Sequence, residues 1–233
     1  MSTIKALIFD FDGTILDTET AWYEAFREIA LEHDIELTLD MYGQCIGTSL
    51  HVFDPYDYLI MDKQVPMDRE TLSKHVHARH TKMMAQEGIR PGILDYLAGA
   101  QELGLRIGLA SSSKRAWIDN YLAQLGIAHY FETIRTAEDV ELVKPHPALY
   151  ELALQDLGVQ PHEAVAIEDS PNGARAAAAA GMHYIVVPNP VTTFLTFDGE
   201  PHRLESLAEL SLQDMLNRVL TAPDTRANST KND

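Results

Sequence analysis

Two aspartates stand directly after a short apolar run near the start of the chain. Residues 6–9 (Ala-Leu-Ile-Phe) are followed by Asp10 and Asp12 in the sequence Asp-Phe-Asp-Gly-Thr. A short apolar run that ends at a glycine turn is typical of a buried strand. Because burying an unpaired carboxylate is costly, packing alone rarely places two of them there. The pair therefore indicates a bound cation, a nucleophile with an acid/base partner, or both.

Apolar runs and helical patterns alternate along most of the chain. Strands are predicted over Ala6–Phe9, Leu105–Ala110, Thr133–Thr136, Ala164–Ile167 and Tyr184–Val187, and helices over Ile93–Leu103, Arg115–Leu125, Pro147–Leu157 and Asn172–Ala180. This alternation predicts an α/β fold, with a parallel sheet covered by helices on both faces. In such sheets ligands bind beyond the carboxyl ends of the strands.

One interval breaks the alternation. Residues 18–33 and 68–86 have helical patterns, and no convincing strand pattern lies between residues 18 and 88. This interval predicts a helical insert placed over the carboxyl end of the first strand. The predicted domains are a core of residues 1–16 and 89–220, an inserted helical cap of residues 17–88, and a disordered tail of residues 221–233.

Composition narrows the function classes. The chain has 233 residues and a net charge of −17, which disfavours nucleic acid and anionic membranes as partners. The single cysteine, Cys45, excludes an internal disulfide and fits a cytoplasmic location. No apolar run approaches the roughly 18 residues of a membrane span, and a removable signal peptide would cut into the first strand. We expect a cytoplasmic monomer, since nothing in the sequence resembles a coiled coil.

Three later segments carry related chemistry. Ser111 follows the second predicted strand and precedes a helix, and the backbone N–H groups of a helix N-terminus suit a phosphate. Lys144 stands before a proline at the start of another helix, and Glu168 and Asp169 follow the fourth predicted strand. Each signal is weak alone. Their joint order and spacing are hard to produce by chance.

Taken together, these segments resemble a known family. Asp-x-Asp-Gly-Thr, a serine after strand two, Lys-Pro, and Glu-Asp-Ser after strand four are similar to the four motifs of the haloacid dehalogenase-like (HAD) hydrolases. The resemblance covers residues 4–190 and is nearest to the capped phosphatase and β-phosphoglucomutase branch. It implies a Rossmann-like core with an inserted α-helical cap, a Mg²⁺ cofactor and a small phosphorylated metabolite, of the sugar or polyol phosphate type, as substrate.

The resemblance also implies roles for the acidic residues. Asp10 would be the nucleophile that forms an aspartyl-phosphate, and Asp12 would protonate the leaving oxygen and later deprotonate water. The metal would be held by the Asp10 carboxylate, the Asp12 backbone carbonyl and Asp169, with Glu168 as a ligand or just behind one. Such a cation is needed because the phosphate dianion and the attacking carboxylate repel each other.

The resemblance also implies which residues contact the phosphate and the rest of the substrate. Lys144 and Ser111 would bind the phosphoryl oxygens, helped by the backbone N–H of Ser112. Thr18 and Trp22, in the first cap helix, are candidates for substrate contact. The alternatives are a place at the solvated start of that helix for Thr18 and core packing for Trp22.

The sequence departs from the patterns of the dehalogenase and mutase members of this family. Dehalogenase members lack the second aspartate, so Asp12 argues against dehalogenation. Mutase members carry a cap histidine and a cap arginine where this chain has Trp22 and Leu50. We therefore expect a phosphatase, and the alternatives are a β-phosphoglucomutase-like mutase or a non-catalytic binding protein. A histidine cluster in the second cap helix is either polar surface or a substrate contact: His75, His77 and His80.

Overall fold

Parallel strands form one sheet in the computed structural model, which describes residues 3–46, 53–199 and 202–221. The strands are β1 (Ala6–Phe9), β2 (Arg106–Ala110), β3 (Thr133–Arg135), β4 (Ala164–Glu168), β5 (His183–Val186) and β6 (His202–Arg203). Their order is β3-β2-β1-β4-β5-β6, and every neighbouring pair is parallel. This is the strand order of a Rossmann-like sheet, and the order reverses at β1. The predicted fold class is confirmed.

Helices fall into two groups by their position in the chain. The first four helices after β1 form the insert: α1 (Thr18–Glu32), α2 (Leu39–Tyr42), α3 (Pro55–Asp57) and α4 (Arg69–Met84), with a π-helical turn at Tyr58–Asp62. Those beside the sheet are α5 (Ile93–Glu102), α6 (Arg115–Leu125), α7 (Ala148–Leu157), α8 (Pro171–Ala179) and α9 (Leu212–Thr221). Among the described residues, no helix is long and apolar enough to cross a lipid bilayer.

The two faces of the sheet pack against different helices. Side chains of a strand alternate between faces, so Leu7 and Phe9 join the cluster beneath α5, α6 and α9. Ala6 and Ile8 join a second cluster with α7 and α8. All four are fully buried, which is why β1 reads as a continuous apolar run.

Helices α1 and α4 share a hydrophobic cluster that is separate from those of the sheet. Phe26 and Ile29 of α1 pack with Leu72 and Val76 of α4, and Val191 from the loop after β5 joins them. On this observation we propose the boundaries expected from sequence, with residues 17–88 as a cap and residues 1–16 and 89–220 as the core.

Several elements differ from the sequence-based expectation. Most strand and helix ends move by one or two residues, which is the usual uncertainty of element ends. Strand β6 was not predicted because two residues give no periodic signal. Helix α9 was also missed, although Leu212, Met215 and Val219 are buried at helical spacing. Thr221, the first residue of the predicted tail, is the last residue of α9. Residues 222–233 lie outside the described ranges, so the tail stays a prediction.

Two leucines of α5 provide a matched test of the core. Leu97 is fully buried, whereas Leu94 is 48% exposed. We expect Leu97→Ala to lower the free energy of unfolding by ~3 kcal/mol, because it leaves a cavity. Leu94→Ala should cost less than ~1 kcal/mol. Urea denaturation of both variants measures the difference, and equal losses would contradict this assignment of the core.

Candidate active site

Three buried carboxylates meet at the carboxyl ends of β1 and β4. The parallel register pairs Phe9 with Ile167, so the residues that follow each strand lie side by side. The Asp10 backbone N–H continues the ladder by donating to the Ile167 carbonyl at 2.9 Å. One oxygen each of Asp10, Glu168 and Asp169 lies within 4.8 Å of the others. All three residues are at most 6% exposed. We call them the acidic cluster.

A single lysine lies against the acidic cluster. The Lys144 ammonium donates to Asp10 Oδ1 at 2.5 Å and to Glu168 Oε1 at 2.7 Å, and its side chain is 5% exposed. The Tyr150 hydroxyl also donates to Glu168 Oε1. Burial lowers the pKa of Lys144, but attraction by Asp10 and Glu168 outweighs this effect and raises the pKa above its usual range. The lysine is therefore charged at neutral pH.

The positive charge of Lys144 does not balance the acidic cluster. Burial raises the pKa of Asp10 to about 7; Lys144 acts against this shift and Glu168 adds to it. Burial, followed by repulsion from Asp10 and Glu168, raises the pKa of Asp169 well above its usual range. Moreover, Glu168 Oε2 is buried with no hydrogen-bond partner among the described residues. Hard divalent cations prefer carboxylate oxygens, so the cluster is suited to hold one.

Two glycines make room for the acidic cluster. Gly13 has a φ of +77°, and a Cβ atom there would overlap the Asp169 carboxylate. A Cβ atom at Gly173, in the first turn of α8, would overlap the Glu168 carboxylate. Any larger residue at either position would displace an acidic side chain.

Sequence reasoning missed the residue that orients Asp169. Asn189 Nδ2 donates to Asp169 Oδ2 at 2.7 Å. The Asn189 Oδ1 atom accepts from the backbone N–H groups of Val191 and Thr192, each at 3.0 Å, which fixes the amide. The available signal was an asparagine between two prolines directly after a predicted strand.

Arg90 was also missed. Its guanidinium donates to the backbone carbonyls of Gly13, Val187 and Pro188. It thereby joins the loop after β1 to the chain that leaves β5, on the segment where the insert returns to the sheet. Such a role depends on backbone acceptors that are distant in sequence, so no local pattern could reveal it.

Asp12 is not part of the acidic cluster. Its Oδ1 atom accepts from Thr18 Oγ1 at 3.0 Å and from Trp117 Nε1 at 2.9 Å. Its Oδ2 atom accepts from Ser113 Oγ at 2.6 Å and more weakly from Ser111 Oγ at 3.4 Å. The carboxylate is thus held by donors from α1, α6 and the loop after β2. Metal ligation by its backbone carbonyl stays a prediction.

The predicted substrate residues have different surroundings. Ser111 is buried beside Asp12, whereas Ser112 is exposed just before α6. The Thr18 hydroxyl, a candidate for substrate contact, donates to Asp12. Trp22 is half-buried and stacks on His80, with ring centroids 3.7 Å apart. Contacts of these residues with phosphate or substrate stay predictions.

The histidine cluster divides into two kinds of residue. His75 and His77 are exposed on α4, while His80 is buried. Burial, helped by repulsion from His77, lowers the pKa of His80 to about 4. His80 is therefore a neutral ring that packs against Trp22 at neutral pH.

Comparison with known proteins agrees with this geometry. A sequence profile described as "Haloacid dehalogenase-like hydrolase" matches residues 7–187. The chain is 49% identical over 216 residues to a Bacillus subtilis protein named "Putative phosphatase YhcW", a match that covers 93% of this chain and 98% of that protein. It is also 29% identical to Hexitol phosphatase B of Escherichia coli K12, over 91% of this chain and 97% of that protein.

A solved structure extends the likeness to three dimensions. A mutant of CbbY from Rhodobacter sphaeroides, crystallised in complex with xylulose-(1,5)bisphosphate, superposes with a TM-score of 0.68. The two sequences are 30% identical, and the superposition covers 89% of this chain and 96% of CbbY.

His80 gives the fold a pH dependence with a defined sign. Its pKa falls from 6.5 to about 4 on folding, so between these values the unfolded chain binds more protons and stability declines as pH falls. We expect His80→Phe to keep the ring and remove this dependence. Between pH 6.5 and pH 4, the free energy of unfolding of the wild type should fall by up to ~3 kcal/mol more than that of the variant. Urea unfolding across that range measures this, and parallel curves would contradict it.

Proposed function

The chain belongs to the haloacid dehalogenase-like hydrolases, and from that premise we propose that it is a Mg²⁺-dependent phosphatase that works through an aspartyl-phosphate. The family expected from the four motifs is confirmed, as is the expectation of a phosphoric monoester hydrolase. The metal, the intermediate and the substrate class are proposals.

The observation that carries the mechanism is Asp10 beside Lys144 in the acidic cluster. Asp10 has one oxygen paired with the lysine at 2.5 Å, which leaves its other oxygen to attack phosphorus. In the first step an Asp10 oxygen–phosphorus bond forms and the ester oxygen–phosphorus bond breaks. Lys144 offsets the charge that the phosphoryl group brings among the carboxylates.

Asp12 is placed to exchange protons during both steps. It lies two residues from Asp10 and next to Ser111, the serine expected to bind phosphoryl oxygens. In the first step Asp12 gives a proton to the departing alcohol. In the second it takes a proton from the water that attacks phosphorus, which releases phosphate and frees Asp10.

The acidic cluster is the proposed magnesium site. Asp10 and Asp169 would be direct ligands, and the buried Oε2 atom of Glu168 would lie at or just behind the ion. When bound, Mg²⁺ supplies positive charge that screens phosphate from the carboxylates. Asn189 holds Asp169 in place for this role.

The proposed substrate is a sugar or polyol phosphate. Hexitol Phosphatase B is named for such a substrate, and CbbY binds a sugar bisphosphate in its crystals. Burial and repulsion by Asp12 and Asp10 raise the pKa of Glu19, in the first turn of α1, to about 8. A carboxyl group that keeps its proton at neutral pH can both donate to and accept from sugar hydroxyls.

The mutase alternative is not favoured. Trp22, at the position of the mutase histidine, carries no proton-transfer group and stacks on His80. Leu50, at the position of the mutase arginine, lies outside the described residues. The monomeric state and cytoplasmic location expected from the sequence stay predictions.

Asp10→Asn should abolish turnover, because an amide cannot act as the nucleophile. We expect phosphate release to fall by ~10³-fold or more. The assay uses sugar phosphates, polyol phosphates, nucleotides and phosphoglycolate, each with and without Mg²⁺, and circular dichroism checks the fold. Full activity in the variant would rule out the nucleophile assignment. If wild type releases no phosphate, NMR of sugar phosphate isomers would distinguish a mutase from a non-catalytic protein.

Asp169→Ala should weaken metal binding. We expect the Mg²⁺ concentration for half-maximal activity to rise roughly 10- to 100-fold. Asp119→Ala is the matched control, since Asp119 is an exposed aspartate paired with Arg115. An unchanged Mg²⁺ titration for Asp169→Ala would remove this residue from the metal site.

A further inference from the structure

We propose that Trp117 is a positioning residue for Asp12, whose indole N–H determines which carboxylate oxygen exchanges the proton with the leaving group. This proposal rests on the proposed phosphatase function for its chemical consequence. The contact itself is a property of the fold and can be tested without turnover.

The four donors to Asp12 are not equivalent. The hydroxyl groups of Thr18, Ser111 and Ser113 can rotate and either donate or accept. The indole N–H of Trp117 can only donate. It lies 2.9 Å from Asp12 Oδ1. A proton on Oδ1 could be accepted by Thr18, but the indole N–H would then face a neutral hydroxyl oxygen instead of a carboxylate oxygen, which is the stronger acceptor. The contact therefore favours an unprotonated Oδ1.

The other oxygen of Asp12 is therefore the one left for proton exchange. Oδ2 lies against Ser113 at 2.6 Å and Ser111 at 3.4 Å. Both hydroxyls can turn to accept from a protonated Oδ2. Both serines lie at the carboxyl end of β2, where Ser111 and the backbone N–H of Ser112 are proposed to bind phosphoryl oxygens. The indole thus directs the proton of Asp12 toward Ser111, the serine proposed to bind phosphoryl oxygens.

Packing on both sides holds the Trp117 ring. Tyr121, one turn further along α6, contacts it edge to face with centroids 4.6 Å apart. On the side of the insert, the His80 ring lies 5.8 Å away, and Trp22 stacks on His80. This column of rings joins α1 and α4 of the insert to α6 beside the sheet. A donor held by such packing keeps its direction, as a positioning group must.

Sequence patterns gave no indication of this role. Trp117 is one of two tryptophans in the chain and occupies the first turn of a predicted helix. Its contact with Asp12 spans 105 positions in sequence. Only the fold brings α6 over the loop after β1.

The first test reads the contact directly and needs no activity. With two tryptophans, the ¹H–¹⁵N spectrum has two indole cross-peaks, and Trp117→Phe identifies one of them. Asp12→Ala should move the Trp117 indole proton upfield and speed its exchange with solvent, while the Trp22 peak serves as internal reference. A Trp117 peak unchanged by Asp12→Ala would overturn the proposal.

The second test separates positioning from general damage. In Trp117→Phe, kcat/KM for sorbitol 6-phosphate should fall ~10-fold, since an alkoxide needs a proton to leave. For 4-nitrophenyl phosphate, whose phenolate leaves without one, the fall should be less than ~2-fold. Tyr121→Phe keeps the ring that packs on Trp117. This control variant should change kcat/KM by the same factor for both esters.

Outcomes of the second test are distinct. Equal losses for both esters in Trp117→Phe would mean a merely structural role and would overturn the proposal. If wild type releases phosphate from no compound of the wider panel, the proposed function fails, and the indole spectrum alone decides whether Trp117 holds Asp12.

Discussion

The buried ammonium of Lys144 is the interaction on which the site depends. It lies between Asp10 and Glu168, and without it the acidic cluster would hold three carboxylates with no internal positive charge. Removing one partner from such a buried group is strongly unfavourable. The remaining imbalance of charge is what suits the cluster to a divalent cation and to a phosphoryl group. The unbalanced negative charge of the buried carboxylates costs stability, and the same charge provides the binding site that the proposed chemistry needs.

Sheet topology explains how these groups meet. The strand order reverses at β1, so its neighbours β2 and β4 come from distant parts of the chain. Their carboxyl ends deliver Ser111, Asp10 and the Glu168–Asp169 pair to one edge. The insert leaves directly after β1, which places α1 and α4 beside the same edge. Substitutions in α1 and α4 of the insert can therefore change the surroundings of the substrate without changing the acidic cluster, which is built from the ends of the strands.

Sequence patterns predicted what depends on local chemistry. The strand ends and the carboxylates after them were visible because apolar runs and turns are short-range signals. Asn189 and Arg90 were not, since their roles depend on partners 20 to 98 positions away. Thr18 shows the same limit: its place at the start of α1 was predicted, but no local pattern indicated that its hydroxyl donates to Asp12. Which partner a side chain selects is decided by tertiary packing.

The central claim is that Asp10 carries the phosphoryl group. An enzyme quenched in acid during turnover and then reduced with borohydride reports this directly, since an acyl phosphate of aspartate is converted to homoserine. Peptide mass spectrometry should find homoserine at position 10, dependent on both substrate and Mg²⁺. Homoserine at another carboxylate, or a complete single turnover sampled throughout with position 10 always aspartate, would contradict the account.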